Sequence, residues 1–103
     1  MVPAVEGVLE RTGVGIGEIG AIEVTEAFAG QTLACLDRLG INEDRVCADG
    51  GAIALGHPWA ATGAMLLVRL FTRMVRRRGP RYGLAACAVG GGIDVATLVE
   101  RVP

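Results

Sequence analysis

The sequence predicts an α/β fold in which helices cover both faces of a mixed sheet. Helix-like and strand-like hydrophobic patterns alternate along the chain, as they do in α/β proteins. The predicted strands are apolar on both sides, which is typical of strands buried between two layers. A chain of 103 residues forms one domain at most, and we assign residues 1–103 to it.

The first half of the chain predicts a helix, a strand and a second helix. A short amphipathic helix begins at Val2 and stops near Gly13, and residues 13–17 form a loop. The alternation over residues 19–24 predicts a strand. A helix is predicted over residues 26–39, with Gly40 as its stop. Its apolar stripe contains Phe28, Leu33, Leu36 and Leu39.

The second half predicts the longest helix, followed by an antiparallel hairpin. An irregular crossing over residues 41–49 leads to a short apolar segment at 52–55. The long helix spans residues 58–78, and small side chains over 59–64 allow close packing on both of its sides. Strands over residues 82–88 and 93–102 are joined by a glycine turn.

Composition excludes several classes of partner and site. The net charge is −1 and the charges are scattered, which argues against a nucleic-acid or membrane partner. The three cysteines fit no disulfide or zinc spacing, so we expect no metal site and a reducing, cytoplasmic location. The chain is 51% hydrophobic with a mean hydropathy of +0.47, which predicts apolar surface that associates with another chain.

The only histidine lies in the segment GGAIALGHP, residues 50–58. Gly56 lets a ligand or another backbone approach closely, and Pro58 suits the first position of a helix. The ring of His57 is therefore expected near a helix N-terminus, where the helix dipole favours the neutral imidazole. Such a ring can act as a base or donate a hydrogen bond to an oxyanion.

Four segments together resemble the C-terminal half of thiolases, the enzymes that make or split 3-ketoacyl-CoA thioesters. They are the helix motif VTEAFAGQ at 24–31, GGAIALGHP at 50–58, the stretch from Arg77 to Ala85, and the glycine turn and tail from Gly90 to Val102. The resemblance covers essentially the whole chain. It implies that the family's N-terminal half and the first strand of this domain are absent from these residues.

The resemblance also implies roles for particular residues. His57 matches the family histidine that activates the nucleophile, while the nucleophilic cysteine belongs to the N-terminal half, so this chain alone is expected to be inactive. Thr25 replaces the asparagine that orients a water in the oxyanion hole, and Gly90 begins the glycine turn that resembles a second oxyanion site. The substrate implied is a coenzyme A thioester, with no further cofactor.

The family's second cysteine, the base, aligns with Ala88 rather than Cys87. Neighbouring residues of a strand point to opposite faces, so the displacement by one residue turns the Cys87 thiol away from the family position unless the strand slips or bulges. Cys87 is therefore a candidate base with Ala88 in the matching register. Cys35 and Cys47 are expected to be structural.

Three functional hypotheses remain open from the sequence. The first is a domain or subunit of an acyl-CoA acyltransferase whose partner, a thiolase N-terminal half or homologous subunit, supplies the nucleophile. The second is a non-catalytic thiolase-fold subunit that binds or stabilises an enzyme. The third is a thiolase-like lyase or decarboxylating condensing enzyme without the second cysteine. Each predicts an oligomer.

Overall fold

The computed structural model describes residues 1–102 and has the predicted alternation of helices and strands. The regular elements are α1 (Val2–Thr12), β1 (Ile19–Val24), α2 (Ala29–Leu39), α3 (Ala52–Leu55), α4 (Thr62–Phe71), β2 (Tyr82–Val89) and β3 (Ile93–Glu100). Single 3-10 turns lie at Ile16–Glu18, Glu43–Arg45 and Trp59–Ala61, and a π-helical turn, Thr72–Arg76, extends α4.

The three strands form one mixed sheet in the order β1-β2-β3. β1 and β2 are parallel, with Val24 opposite Ala86. β2 and β3 are antiparallel and pair without a break from Tyr82–Glu100 to Val89–Ile93. A further parallel bridge joins Ile22 to Val46 in the crossing segment. The predicted mixed sheet is confirmed.

Helices cover both faces of this sheet, as the two-sided apolar strands predicted. On one face α1 and α2 enclose a core that includes Val5, Val8, Ile22, Leu36 and Leu84. On the other face α4 encloses a second core of Ala21, Leu66, Leu70, Met74 and Ala85. The sheet therefore separates two hydrophobic layers, and it is the α4 layer that leads to the histidine motif.

The predicted start of the second helix is wrong by three residues. α2 begins at Ala29, and Phe28 is an extended residue before it with 76% of its surface exposed. The chain stays extended beyond β1 because the Thr25 N–H continues the ladder to the Ala86 carbonyl at 2.9 Å. The predicted stops are confirmed, since Gly13 and Gly40 adopt left-handed φ angles of 70° and 66°.

The helix predicted over residues 58–78 begins later and ends earlier than predicted, because α4 with its π-helical turn spans residues 62–76. A 3-10 turn follows Pro58, and the α-helix starts at Thr62. Trp59 adopts a left-handed φ of 47° and is 83% exposed. The first residue of the segment 59–64 is therefore an exposed aromatic side chain. The short apolar segment 52–55 is a helical turn, and part of the predicted loop at 13–17 belongs to a 3-10 turn.

The outer side of α4 is an apolar surface. A groove of about 340 Å³ lies between this helix and the end of β3. Its lining includes Leu67, Phe71, Val75 and Val99.

Among residues 1–102, no helix combines the length and apolarity needed to cross a membrane.

Packing between β2 and α4 predicts a large effect of one added methyl group. A Cβ on Gly83 would lie 3.2 Å from Cδ2 of Leu70 and would overlap the Met74 sulfur. Gly83→Ala should therefore lower the free energy of unfolding by about 1–3 kcal/mol in urea denaturation. Gly30→Ala is the control, because a Cβ there meets nothing within 4 Å and should stabilise α2 by up to about 1 kcal/mol. Equal stability of the Gly83→Ala and wild-type chains would contradict this packing.

Candidate functional site

His57 is held at the N-terminus of α4 by a side-chain hydrogen bond. Its Nδ1 lies 2.6 Å from the hydroxyl oxygen of Thr62, the first residue of α4, and the tautomer decides which of the two donates. Because Nδ1 is engaged, Nε2 is the ring atom available for chemistry. A neutral ring whose Nδ1 donates presents a basic Nε2, whereas a ring whose Nδ1 accepts presents an Nε2–H donor.

The indole of Trp59 covers one face of this imidazole. The two ring centroids are 5.6 Å apart and the planes differ by 5°, so the rings are stacked. Because Trp59 is two residues after His57 and turns back through a left-handed φ, the stack is a local consequence of the turn before α4. The stack and the Thr62 bond together restrict the ring orientation.

Thr25 is a buried polar residue at the end of β1. It is 1% exposed, and within residues 1–102 its Oγ1 has no hydrogen-bond partner. Strand alternation from Ala21 and Glu23, which both face α4, places Thr25 on the same face. A buried hydroxyl without a protein partner is a suitable site for an ordered water.

Cys87 faces α4, and Ala88 faces the opposite layer. The β2–β3 pairing is regular through Cys87–Val95 and Ala88–Asp94, so no bulge alters the alternation. Cys87 packs against the core beneath α4. A Cβ built on Gly63 would lie 4.0 Å from the Cys87 sulfur, which places the thiol below the first turn of α4. The roles assigned to Cys87 and to position 88 stay predictions.

His57 and Cys87 both lie at the first turn of α4, near Thr62 and Gly63 respectively, and Thr25 extends β1 beside the Ala86 end of β2. Gly90 is exposed in the β2–β3 turn, and a side chain added there would meet no other group. Its oxyanion role also stays a prediction.

Sequence reasoning missed a buried charge network beside this cluster. Glu23 is 0% exposed and accepts hydrogen bonds from Arg69 Nε at 2.8 Å and Arg73 Nη1 at 3.0 Å. Arg69 also donates to the carbonyl of Gly50, at the start of the histidine motif. The signal was present in the sequence as a carboxylate inside an apolar strand and an arginine inside an apolar helix.

Cys47 is a buried thiol on the opposite side of β1 from β2. Its sulfur is 3.5 Å from both the N–H and the carbonyl of Val24. Desolvation by burial raises the pKa of Cys47 to about 11, against a smaller lowering by the Val24 backbone bond and a further rise from the charge of Glu23. All three cysteines are free thiols, and no group of three or more potential metal ligands occurs within residues 1–102.

Comparison with known proteins identifies relatives over nearly the whole chain. The family described as "Thiolase, C-terminal domain" matches residues 1–101. The 3-ketoacyl-CoA thiolase of Photorhabdus laumondii is 44% identical over 98% of this chain and 26% of the relative. That of Yersinia enterocolitica is 46% identical over 98% of the chain and 27% of the relative. The chain therefore spans about a quarter of the length of these relatives.

The raised pKa of Cys47 predicts a loss of stability at alkaline pH. The thiol ionises near 9.0 when unfolded and near 11 when folded, so the unfolded chain alone loses the proton between these values. Stability should fall by on the order of 2 kcal/mol as pH rises through this window, and be full below it. The chain has no lysine, so no lysine ammonium titrates in this window.

Urea unfolding from pH 8 to 11.5 measures this decrease, with Cys47→Ala as the comparison. The difference between wild type and variant should shrink across the window. A constant difference at every pH would show that the buried thiol is not the titrating group.

Proposed function

The chain belongs to the thiolase family, as its C-terminal domain, and on that premise we propose that it supplies the histidine of an acyl-CoA acyltransferase site. The proposed reaction is the thiolytic cleavage of 3-ketoacyl-CoA, or the reverse Claisen condensation. The observation that carries the proposal is His57 fixed through Nδ1 to Thr62, which leaves Nε2 to act on a reacting group.

The proposed chemistry needs a thiol that this chain does not provide at the nucleophile's position. Nε2 of His57 takes the proton of a cysteine thiol supplied by the family's N-terminal half, and the thiolate attacks the substrate carbonyl. The resulting imidazolium donates a hydrogen bond to the oxyanion. Collapse of the tetrahedral intermediate breaks the C2–C3 bond of the 3-ketoacyl-CoA and leaves a thioester on that cysteine. Acetyl-CoA departs as its enolate, which takes up the proton that the thiol gave up, and the thiol of free coenzyme A then accepts the acyl group. Coenzyme A thioester is the substrate, and no further cofactor is invoked.

Thr25 and Cys87 are assigned supporting roles. The unpartnered Thr25 hydroxyl would hold the water that an asparagine holds in the family pattern. Cys87 offers a thiol on the α4 face, but the thiolase register assigns the base to position 88, where alanine has no acid–base group. We therefore expect turnover to depend far more on His57 than on Cys87. Gly90 is kept as a candidate oxyanion donor.

The proposed partner is the N-terminal segment that thiolases carry and that residues 1–103 do not match. The relatives are about four times as long as this chain, and the exposed apolar side of α4 offers a surface for the remainder. Three free cysteines suit the reducing cytoplasm, where we propose that the assembly works.

A second candidate is a non-catalytic thiolase-fold subunit that binds or stabilises an enzyme. Two positions differ from the thiolase pattern: Thr25 replaces the asparagine, and Ala88 replaces the cysteine that acts as the base. A lyase or decarboxylating condensation that needs no second cysteine would tolerate the same changes. Activity of the assembled protein separates these alternatives.

In the assembled enzyme, His57→Ala should lower kcat/KM by about 10²–10⁴-fold, because the base and the oxyanion donor are lost together. Cys87→Ala should cost much less. Acetoacetyl-CoA cleavage by the chain combined with a thiolase N-terminal segment measures both. The 103-residue chain alone is the control and should be inactive. Equal losses for the two substitutions would show that Cys87 is the base.

The purified chain should associate rather than remain a 10.6 kDa monomer. The α4 surface and the free edge of β3 both favour association, since each exposes groups that a partner can bury. Size-exclusion chromatography with light scattering, with and without the N-terminal segment, measures this. A stable monomer at micromolar concentration whose melting temperature is unchanged by the segment would contradict the half-enzyme proposal.

A further inference from the structure

Glu26 connects the end of β1 to the turn that precedes His57. It is half-buried, and its Oε2 accepts a hydrogen bond from the backbone N–H of Ile53 at 3.0 Å. Ile53 is the second residue of α3, and an N–H at that position has no partner within the helix. The carboxylate thus satisfies a donor that α3 cannot satisfy itself.

Gly51 is shaped to receive this carboxylate. Its backbone is extended, with φ −114° and ψ −157°, a conformation that any residue can adopt. A Cβ there, however, would lie 2.8 Å from Oε1 of Glu26 and would overlap Oε2. The backbone angles therefore admit a side chain at position 51, but that side chain would displace the Glu26 carboxylate.

α3 transmits this restraint directly to His57. The N–H of Gly56 donates to the carbonyl of Ala52 at 2.8 Å, and His57 follows at once. On the other side of α3, the Gly50 carbonyl is held by Arg69, which Glu23 orients. The turn is thus fixed at two points before the ring meets Thr62.

We infer that Glu26 is a positioning residue for His57, acting through Ile53 and the α3 turn. Its importance for turnover rests on the proposed function, whereas its effect on the His57 ring can be measured on this chain alone. Within residues 1–102 no hydrogen bond joins Glu26 to the imidazole, so the proposed influence of Glu26 is one of orientation.

The chain contains one histidine and one tryptophan, and their rings are stacked, which provides an unambiguous probe. Three NMR readouts follow: the His57 ring ¹⁵N shifts for the tautomer, the His57–Trp59 ring NOE, and the exchange rate of the Ile53 amide. In Glu26→Ala, amide exchange at Ile53 should rise by about tenfold or more, since a charge-assisted hydrogen bond is lost. The NOE should weaken and the tautomer ratio should shift.

Gly51→Ala provides a test that does not depend on the folding of Glu26→Ala. In the wild-type background the added methyl should displace the carboxylate and reproduce the same His57 signature. In the Glu26→Ala background it should change nothing further, because the group that it displaces is absent. Glu26→Gln keeps an acceptor oxygen and should preserve the wild-type His57 signals, and Glu6→Ala, at an exposed position of α1, is the surface-charge control.

A folded Glu26→Ala chain with unchanged ring shifts and NOE would overturn the inference. So would a Gly51→Ala effect that is equal in both backgrounds. If Glu26→Gln changed the His57 signals as Glu26→Ala does, the hydrogen bond to Ile53 would be excluded as the restraint on the ring.

In the assembled enzyme Glu26→Ala should lower kcat more than it changes KM, with rescue by Glu26→Gln. An assembly without any activity would remove the proposed function and leave the NMR result standing.

Discussion

The buried carboxylate of Glu23 is the constraint on which the arrangement of the site depends. It is withdrawn from solvent on the α4 side of β1 and is compensated by two arginines of the helix that covers it. A charge buried without partners would be strongly destabilising. The two ion pairs therefore fix the rotation of α4 about its axis and its position along the sheet. Arg69 extends this fixation to the Gly50 carbonyl. The histidine motif is thereby tied to the same carboxylate that aligns the helix.

The chemistry of His57 follows from this frame. A ring held only by its backbone would rotate and exchange its tautomer freely, whereas the Thr62 bond engages Nδ1 and so restricts both the ring and its tautomer. The Cys87 thiol lies below the same end of α4, and Thr25 extends β1 beside the Ala86 end of β2. The residues proposed for the site therefore lie at the ends of β1, β2 and α4. Cys47 lies across β1, where burial raises the pKa of its thiol to about 11.

Local sequence signals predicted much of this fold. The six residues of β1, the helix stops at Gly13 and Gly40 and the glycine-turn hairpin are each specified by adjacent residues. The predicted start of α2 was wrong because Thr25 and Glu26 form hydrogen bonds with residues far along the chain, namely Ala86 and Ile53. Alternation predicted that Cys87 and Ala88 face opposite layers, yet only the position of α4 shows which residue shares its face. The hydrogen bond between His57 and Thr62 could not be predicted either. It forms across a left-handed turn at Trp59, which no local sequence pattern indicated.

The most direct test is to find where the acyl group is attached during turnover. The chain, assembled with a thiolase N-terminal segment, is incubated with isotopically labelled acetoacetyl-CoA, quenched in acid and examined by peptide mass spectrometry. The proposed division of roles predicts a labelled thioester on a cysteine of the N-terminal segment and none on Cys35, Cys47 or Cys87, with labelling lost in His57→Ala. A thioester on Cys87 would contradict it, because this chain would then supply the nucleophile itself.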